Sequence, residues 1–81
     1  MVDMLKPPAK AAVVLAKHGP QTVSRLRELM SREFGGSPSW TTVRDAVRVL
    51  EEHGWVIRRG RMLELTLEGL KKASKLLEVL E

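Results

Sequence analysis

From Ser39 to Gly54 the chain reads as one short amphipathic helix. Val43, Ala46, Val47 and Leu50 recur at helical spacing and predict a single apolar face, with His53-Gly54 as the stop. A turn of about 100° per residue puts Thr41, Arg44, Asp45 and Arg48 on the opposite face. Pro38 suits a position at or near the first turn, and Ser37 or Ser39 can supply the cap. Upstream, Pro7-Pro8 open a first helix that Gly19-Pro20 end. Ala12, Val13, Leu15 and Ala16 give it a buried side, and its alanines permit close approach of another helix. Thr22 caps a second helix, Val23 to about Phe34, closed by Gly35-Gly36. Its inner face is Val23, Leu26, Leu29, Met30 and Phe34; Ser24, Arg25, Arg27, Glu28 and Arg32 face out.

After Gly54 the period changes. Trp55–Arg58 and Met62–Thr66 are strand-like, and in the second Leu63 and Leu65 alternate with Met62, Glu64 and Thr66. Arg59-Gly60-Arg61 between them predicts a β-hairpin with a basic tip. Thr66 then caps a last helix, about Leu67 to Leu80, in which Leu70, Ala73, Leu77 and Leu80 form a stripe widened by Leu76 and Val79. That is more aliphatic surface than a domain of this size easily covers. We read this surface partly as core contact and partly as a homodimer seam, to which Leu70, Ala73, Leu76, Leu77 and Leu80 are assigned, the alternative being packing within one protomer alone. Residues 1–6 show no period and read as a flexible arm.

Length and charge narrow the picture. The 81 residues allow one domain, 1–81, with a modest core, for which self-association would be an aid. Hydrophobic content of 43% is too high for a disordered chain, and the net charge of +4 points to a polyanionic partner. Cysteine is absent, which excludes disulfides, thiolate metal sites and thiol catalysis. No apolar run reaches a membrane span and no signal-peptide core opens the chain, so a cytoplasmic location is expected. With no Asn and Gln21 as the only Gln, the composition fits a thermophilic source.

Catalytic chemistry finds little support. His18 and His53 each precede a helix-ending glycine, where a histidine meets the carbonyl end of its helix, and no further ligands converge on them for a metal. There is no Ser/His/Asp arrangement, no phosphate-binding glycine loop and no paired carboxylates, and neither a cofactor nor a small-molecule substrate is implied. Trp40 and Trp55 flank the third helix and read as partly buried packing anchors, with a phosphate contact through the Trp40 indole as a further option. Glu51-Glu52 read as solvated charge at the helix end.

The order helix, helix, helix, strand, strand, helix resembles the winged helix-turn-helix family from about Ala9 to Leu80. Three segments carry the likeness: Gly19-Pro20-Gln21-Thr22-Val23 at the entry to the second helix, Thr42 to Val56 as recognition helix and first wing strand, and Leu65-Thr66-Leu67-Glu68-Gly69 as the exit from the wing. The resemblance implies a mainly α (α+β) fold, a three-helix core with a two-stranded β-wing and a C-terminal helix. It also implies a small, nucleoid-associated regulator of transcription on double-stranded DNA, with helix 39–53 in the major groove and wing 58–61 on the backbone or minor groove. Ser39 at the cap, Trp40 at the arc's edge, and Thr41, Thr42, Arg44, Asp45 and Arg48 then form the groove-facing set. Arg58, Arg59 and Arg61 become wing contacts. Arginine can read guanine, and threonine a thymine methyl or a phosphate. Winged helices also serve protein–protein and RNA complexes, so an interaction module within a larger assembly is the alternative.

Overall fold

The computed structural model describes residues 5–80, the last of these by its backbone only. The order is α1 (Pro7–His18), α2 (Val23–Phe34), α3 (Trp40–Glu52), β1 (Val56–Arg59), β2 (Met62–Leu65) and α4 (Leu67–Leu80). This is a mainly helical α+β arrangement whose single hairpin is antiparallel. The arm expected over residues 1–6 lies outside the described residues as far as Met4.

The physical centre is α1. Its prolines occupy the first turn, where a missing N–H removes no helical bond. Ala11, Ala12, Val13, Val14 and Leu15 are all buried, because α2, α3, α4 and β2 pack around this one helix. The sequence expectation of a one-sided support helix is corrected here: Ala11 and Val14 are also inside, and Ala16 is only half-buried. Small side chains let several elements approach it closely.

Against α1 lies the apolar face of α3, where Val43, Ala46, Val47 and Leu50 are buried as expected. Burial of Val43, Val47 and Leu50 contributes roughly 1.5–3 kcal/mol each, which holds the helix by one side and leaves the other open. Ser39 is the N-cap, its hydroxyl accepting the Thr42 amide at 3.1 Å. At the far end Gly54 (φ +74°) follows His53, with Gly54 N–H bonded to Glu51 O at 3.0 Å and Trp55 N–H to Leu50 O at 2.9 Å. That pair of bonds is a Schellman ending, whose positive φ favours glycine. It turns the chain directly into β1.

The hairpin pairs Val56 with Leu65 and Arg58 with Leu63 on one face, and Ile57 with Glu64 and Arg59 with Met62 on the other. Gly60 and Arg61 form its two-residue turn. Gln21, expected to be part of a turn, instead exchanges two backbone hydrogen bonds with Leu63, at 3.1 and 2.7 Å. The corner before α2 therefore extends the ladder at β2. A hairpin of four-residue strands is marginal alone, and this third backbone supports it at Leu63, level with Arg58.

Thr66 joins hairpin to α4. Its hydroxyl accepts the Gly69 amide at 3.1 Å and donates to Gly54 O at 2.8 Å, while its own amide bonds Trp55 O at 2.9 Å. Gly69 is buried because the helix passes over the Trp55 carbonyl. Farther along, Ala73 is fully buried within the protomer, where α4 packs on α1. This corrects its assignment to the seam: an alanine on the inner face is core, with no surface to offer. Leu76 and Leu77 are half-buried and Leu70 is exposed, whereas the side chain of Leu80 lies outside the described residues.

His18 does not meet the carbonyl end of α1 as expected. Gln21 Nε2 donates to the His18 carbonyl at 3.1 Å, and the imidazole Nε2 instead lies 2.8 Å from Glu33 Oε1, beside Lys17 Nζ at 3.2 Å from Oε2. Partial burial pushes the Glu33 carboxyl pKa up, but hydrogen bonds from His18 and Lys17 and their charges outweigh it, leaving it below the ordinary value. A depressed acid pKa stabilises the fold above the unfolded-state value, about 4.3, and that contribution is lost as pH falls through the folded value. Glu33→Gln should therefore melt slightly below wild type at pH 7, by less than about 1 kcal/mol. Thermal denaturation should show the gap closing at pH 3, and a gap that persists there would mean charge is not its origin.

Candidate nucleic-acid interface

The exposed side of α3 and the inner side of the hairpin enclose an open groove of about 640 Å³. Trp40, Arg44, Arg48 and Glu51 line it from α3, Arg58, Gly60 and Arg61 from the hairpin, and Thr22, Val23 and Ser24 from the start of α2. The α3 residues follow one another at four, four and three positions, which is one stripe along a helix. Arg58 reaches the groove because it shares the inward face of β1 with Val56.

Charge is unevenly spent in this groove. Arg58 Nε lies 3.3 Å from Glu51 Oε2, tying the hairpin to α3. Arg48 makes only a loose 3.9 Å approach to Asp45, with both side chains mostly exposed, an arrangement that neutralises little. Arg44 and Arg61 have no carboxylate within ion-pairing distance among the described residues. Four guanidinium groups against one carboxylate leave a concave cationic surface.

Of the ten positions expected to contact DNA, the structure gathers Trp40, Arg44, Arg48, Arg58 and Arg61 along this groove. Thr41 and Asp45 are exposed on α3 beside it and do not line it, and Ser39 is occupied as the cap. Thr42 is corrected: it is half-buried, its hydroxyl lies 2.9 Å from Ser39 Oγ, and it borders a separate hollow with Pro7, Lys10 and Phe34. Its position one residue past Thr41 rotates it off the open face. Arg59 is also corrected. It lies on the outer face of the hairpin and pairs with Glu64 at 3.0 Å, because strand alternation separates it from Arg58.

Three contributors escaped the sequence reading. Glu51 is within the groove, a position its spacing from Arg44 and Arg48 already encoded. The first residues of α2 form the groove's far wall, which no local pattern signals. Arg27, expected to face solvent, is half-buried: its Nε donates to Pro38 O at 2.8 Å and its guanidinium carbon lies 5.2 Å from the centre of the Trp40 ring. Trp40 itself is 41% exposed, so the packing-anchor expectation fits Trp55 alone. Trp55 is half-buried against the core, with the His53 ring stacked 4.5 Å away; the His53 Nδ1 lies 2.8 Å from Val49 O at the helix end, as expected.

Among the described residues no group of three or more His, Asp or Glu side chains converges to hold a metal ion, and no helix is long and apolar enough to cross a membrane. No family model matches this chain, and a search of curated proteins finds no match either.

Proposed function

We propose that this chain is a winged helix-turn-helix protein that binds double-stranded DNA sequence-specifically and regulates transcription, α3 lying in the major groove and the hairpin tip on the backbone or minor groove. One observation carries the reading: arginines from two separate elements, Arg44 and Arg48 of α3 and Arg58 and Arg61 of the hairpin, line the same groove. An amphipathic helix held by its apolar face alone presents these side chains outward, as insertion between two phosphate backbones requires. The element order and the short α2–α3 connection support the fold assignment.

The protein acts as a homodimer in this reading. Leu67 and Leu70 of α4 are 71% and 45% exposed and Val79 is more so, which supports association through that helix. Two-fold symmetry then sets paired α3 helices about 34 Å apart on a pseudo-palindromic site.

Titration of the protein against a random-sequence duplex at two salt concentrations tests the proposal, followed by Trp40 and Trp55 fluorescence and a labelled duplex. The expected result is binding that weakens steeply with salt, with a log–log slope of about −0.9 per phosphate neutralised. No binding at low salt by folded protein would transfer the assignment to a protein-interaction module. Exposed Trp40, Ile57 and the last helix would be its contact surface.

A further inference from the structure

On the α3 stripe that lines the groove, Trp40 is the one apolar side chain among Arg44, Arg48 and Glu51. The core does not use it, since α3 completes its buried face with Val43, Ala46, Val47 and Leu50. Nor is the ring loose. Arg27 lies over it at 5.2 Å and is itself fixed to the Pro38 carbonyl at 2.8 Å, so the indole is set in one orientation by the turn that precedes α3. Trp40 also borders a second hollow of about 490 Å³, lined by Ser24, Arg27, Ser37 and by Arg32 paired with Glu28 at 2.9 Å. It therefore forms the ridge between the cationic groove and a hollow of mixed charge.

We propose that Trp40 reads a 5-methylpyrimidine, thymine in ordinary DNA, by packing its indole against the C5 methyl group, with Arg27 as a positioning residue. The inference rests on the DNA-binding reading and deepens it. Base edges in the major groove present hydrogen-bond donors and acceptors, and the thymine methyl is their one apolar group. The face of an indole placed against the polar edges of any other pair would strip them of water and, its single N–H aside, return no hydrogen bond, a net cost. Against a methyl the same surface gains by burial. The cationic groove beside it suits a phosphate backbone next to such a contact.

The test begins with selection of the preferred duplex from a random pool. Each thymine is then replaced by deoxyuridine, which removes the methyl alone, and cytosine and 5-methylcytosine are compared at the responsive position. For the wild type, uracil should weaken binding about fourfold or more at one position per half-site, the factor expected for one buried methyl. Methylation of cytosine at that position should recover part of the loss. Trp40→Ala should bind thymine and uracil duplexes equally, Trp40→Phe should keep part of the contrast, and Arg27→Ala should diminish it while circular dichroism shows unchanged helix content. Uracil tolerated everywhere by the wild type, or a contrast that survives in Trp40→Ala, would overturn the proposal while leaving DNA binding intact. A wild type that binds no duplex would overturn the underlying reading and this proposal with it.

Discussion

Replacing Gly69 by alanine should destabilise the protein by about 1–3 kcal/mol, the range for forcing an extra carbon into a filled site. The sign is the informative part, because glycine to alanine within an unconstrained helix gains up to about 1 kcal/mol. At Gly69 an added Cβ would overlap the Trp55 carbonyl oxygen and lie 2.9 Å from its carbon and 3.1 Å from Leu65 Cδ2. Two of these three neighbours are backbone, which no rotamer change can move. Relief would require α4 to retreat, and retreat breaks the hydrogen bonds of Thr66 to Gly54 and Trp55. For a domain this small, the loss corresponds to a fall of roughly 5–20 °C in Tm. Urea or thermal unfolding followed by circular dichroism measures it, with Ser74→Ala on the exposed side of the same helix as the control expected to change little. A Gly69→Ala protein as stable as wild type would show that the close approach is not what fixes α4.

The second large effect concerns binding. Arg44→Ala should cost about 1–3 kcal/mol at the preferred DNA site and blur base preference there. Arg61→Ala should weaken all sequences evenly and reduce the salt slope by about 1, as loss of a phosphate contact does. Arg59→Ala should be nearly silent, since that guanidinium is on the outer face of the hairpin and held by Glu64. Side-by-side affinities on selected and random duplexes separate the three. A loss at Arg59 as large as that at Arg44 would place the nucleic acid on the wrong face of the hairpin. Equal losses on both duplexes for Arg44 would remove its base-reading role.

These contrasts also mark what was legible in the sequence. The periodicity of Val43, Ala46, Val47 and Leu50 placed α3 and its open face, caps at Thr22 and Thr66 placed two helix starts, and the choice of Ser37 or Ser39 placed a third to within two residues, because capping and amphipathicity are local. The Leu-Thr-x-x-Gly run was recognised by resemblance, but its physical reason, a carbonyl beneath the glycine, is a tertiary fact. Arg58 and Arg59 are neighbours in sequence with opposite surroundings, and only the register of Val56 with Leu65 decides which faces α3. Thr41 and Thr42 divide in the same way. Gln21 and Leu63 carry no mutual signal at all, since a backbone bridge leaves side-chain chemistry unconstrained. The assignment of Ala73 to a homodimer seam failed for a related reason: a heptad-like stripe does not say whether its partner is α1 or another copy, and Ala73 is taken by α1.

The Gln21–Leu63 bridge has a mechanical meaning as well. Anchored at Leu63 by two backbone bonds and at β1 by the Schellman turn, the hairpin is held as far out as the Arg58–Leu63 pair. Only the Arg59–Met62 pair and the Gly60-Arg61 turn extend beyond that anchor, an arm of about 7 Å, so a tilt of some 5° moves the tip by about 0.6 Å. Arg61 rides at the end of that arm and Arg58 at its base. The amplitude grows from base to tip, letting Arg61 follow variation in the width of whatever it touches while Arg58 and the stripe on α3 stay in register.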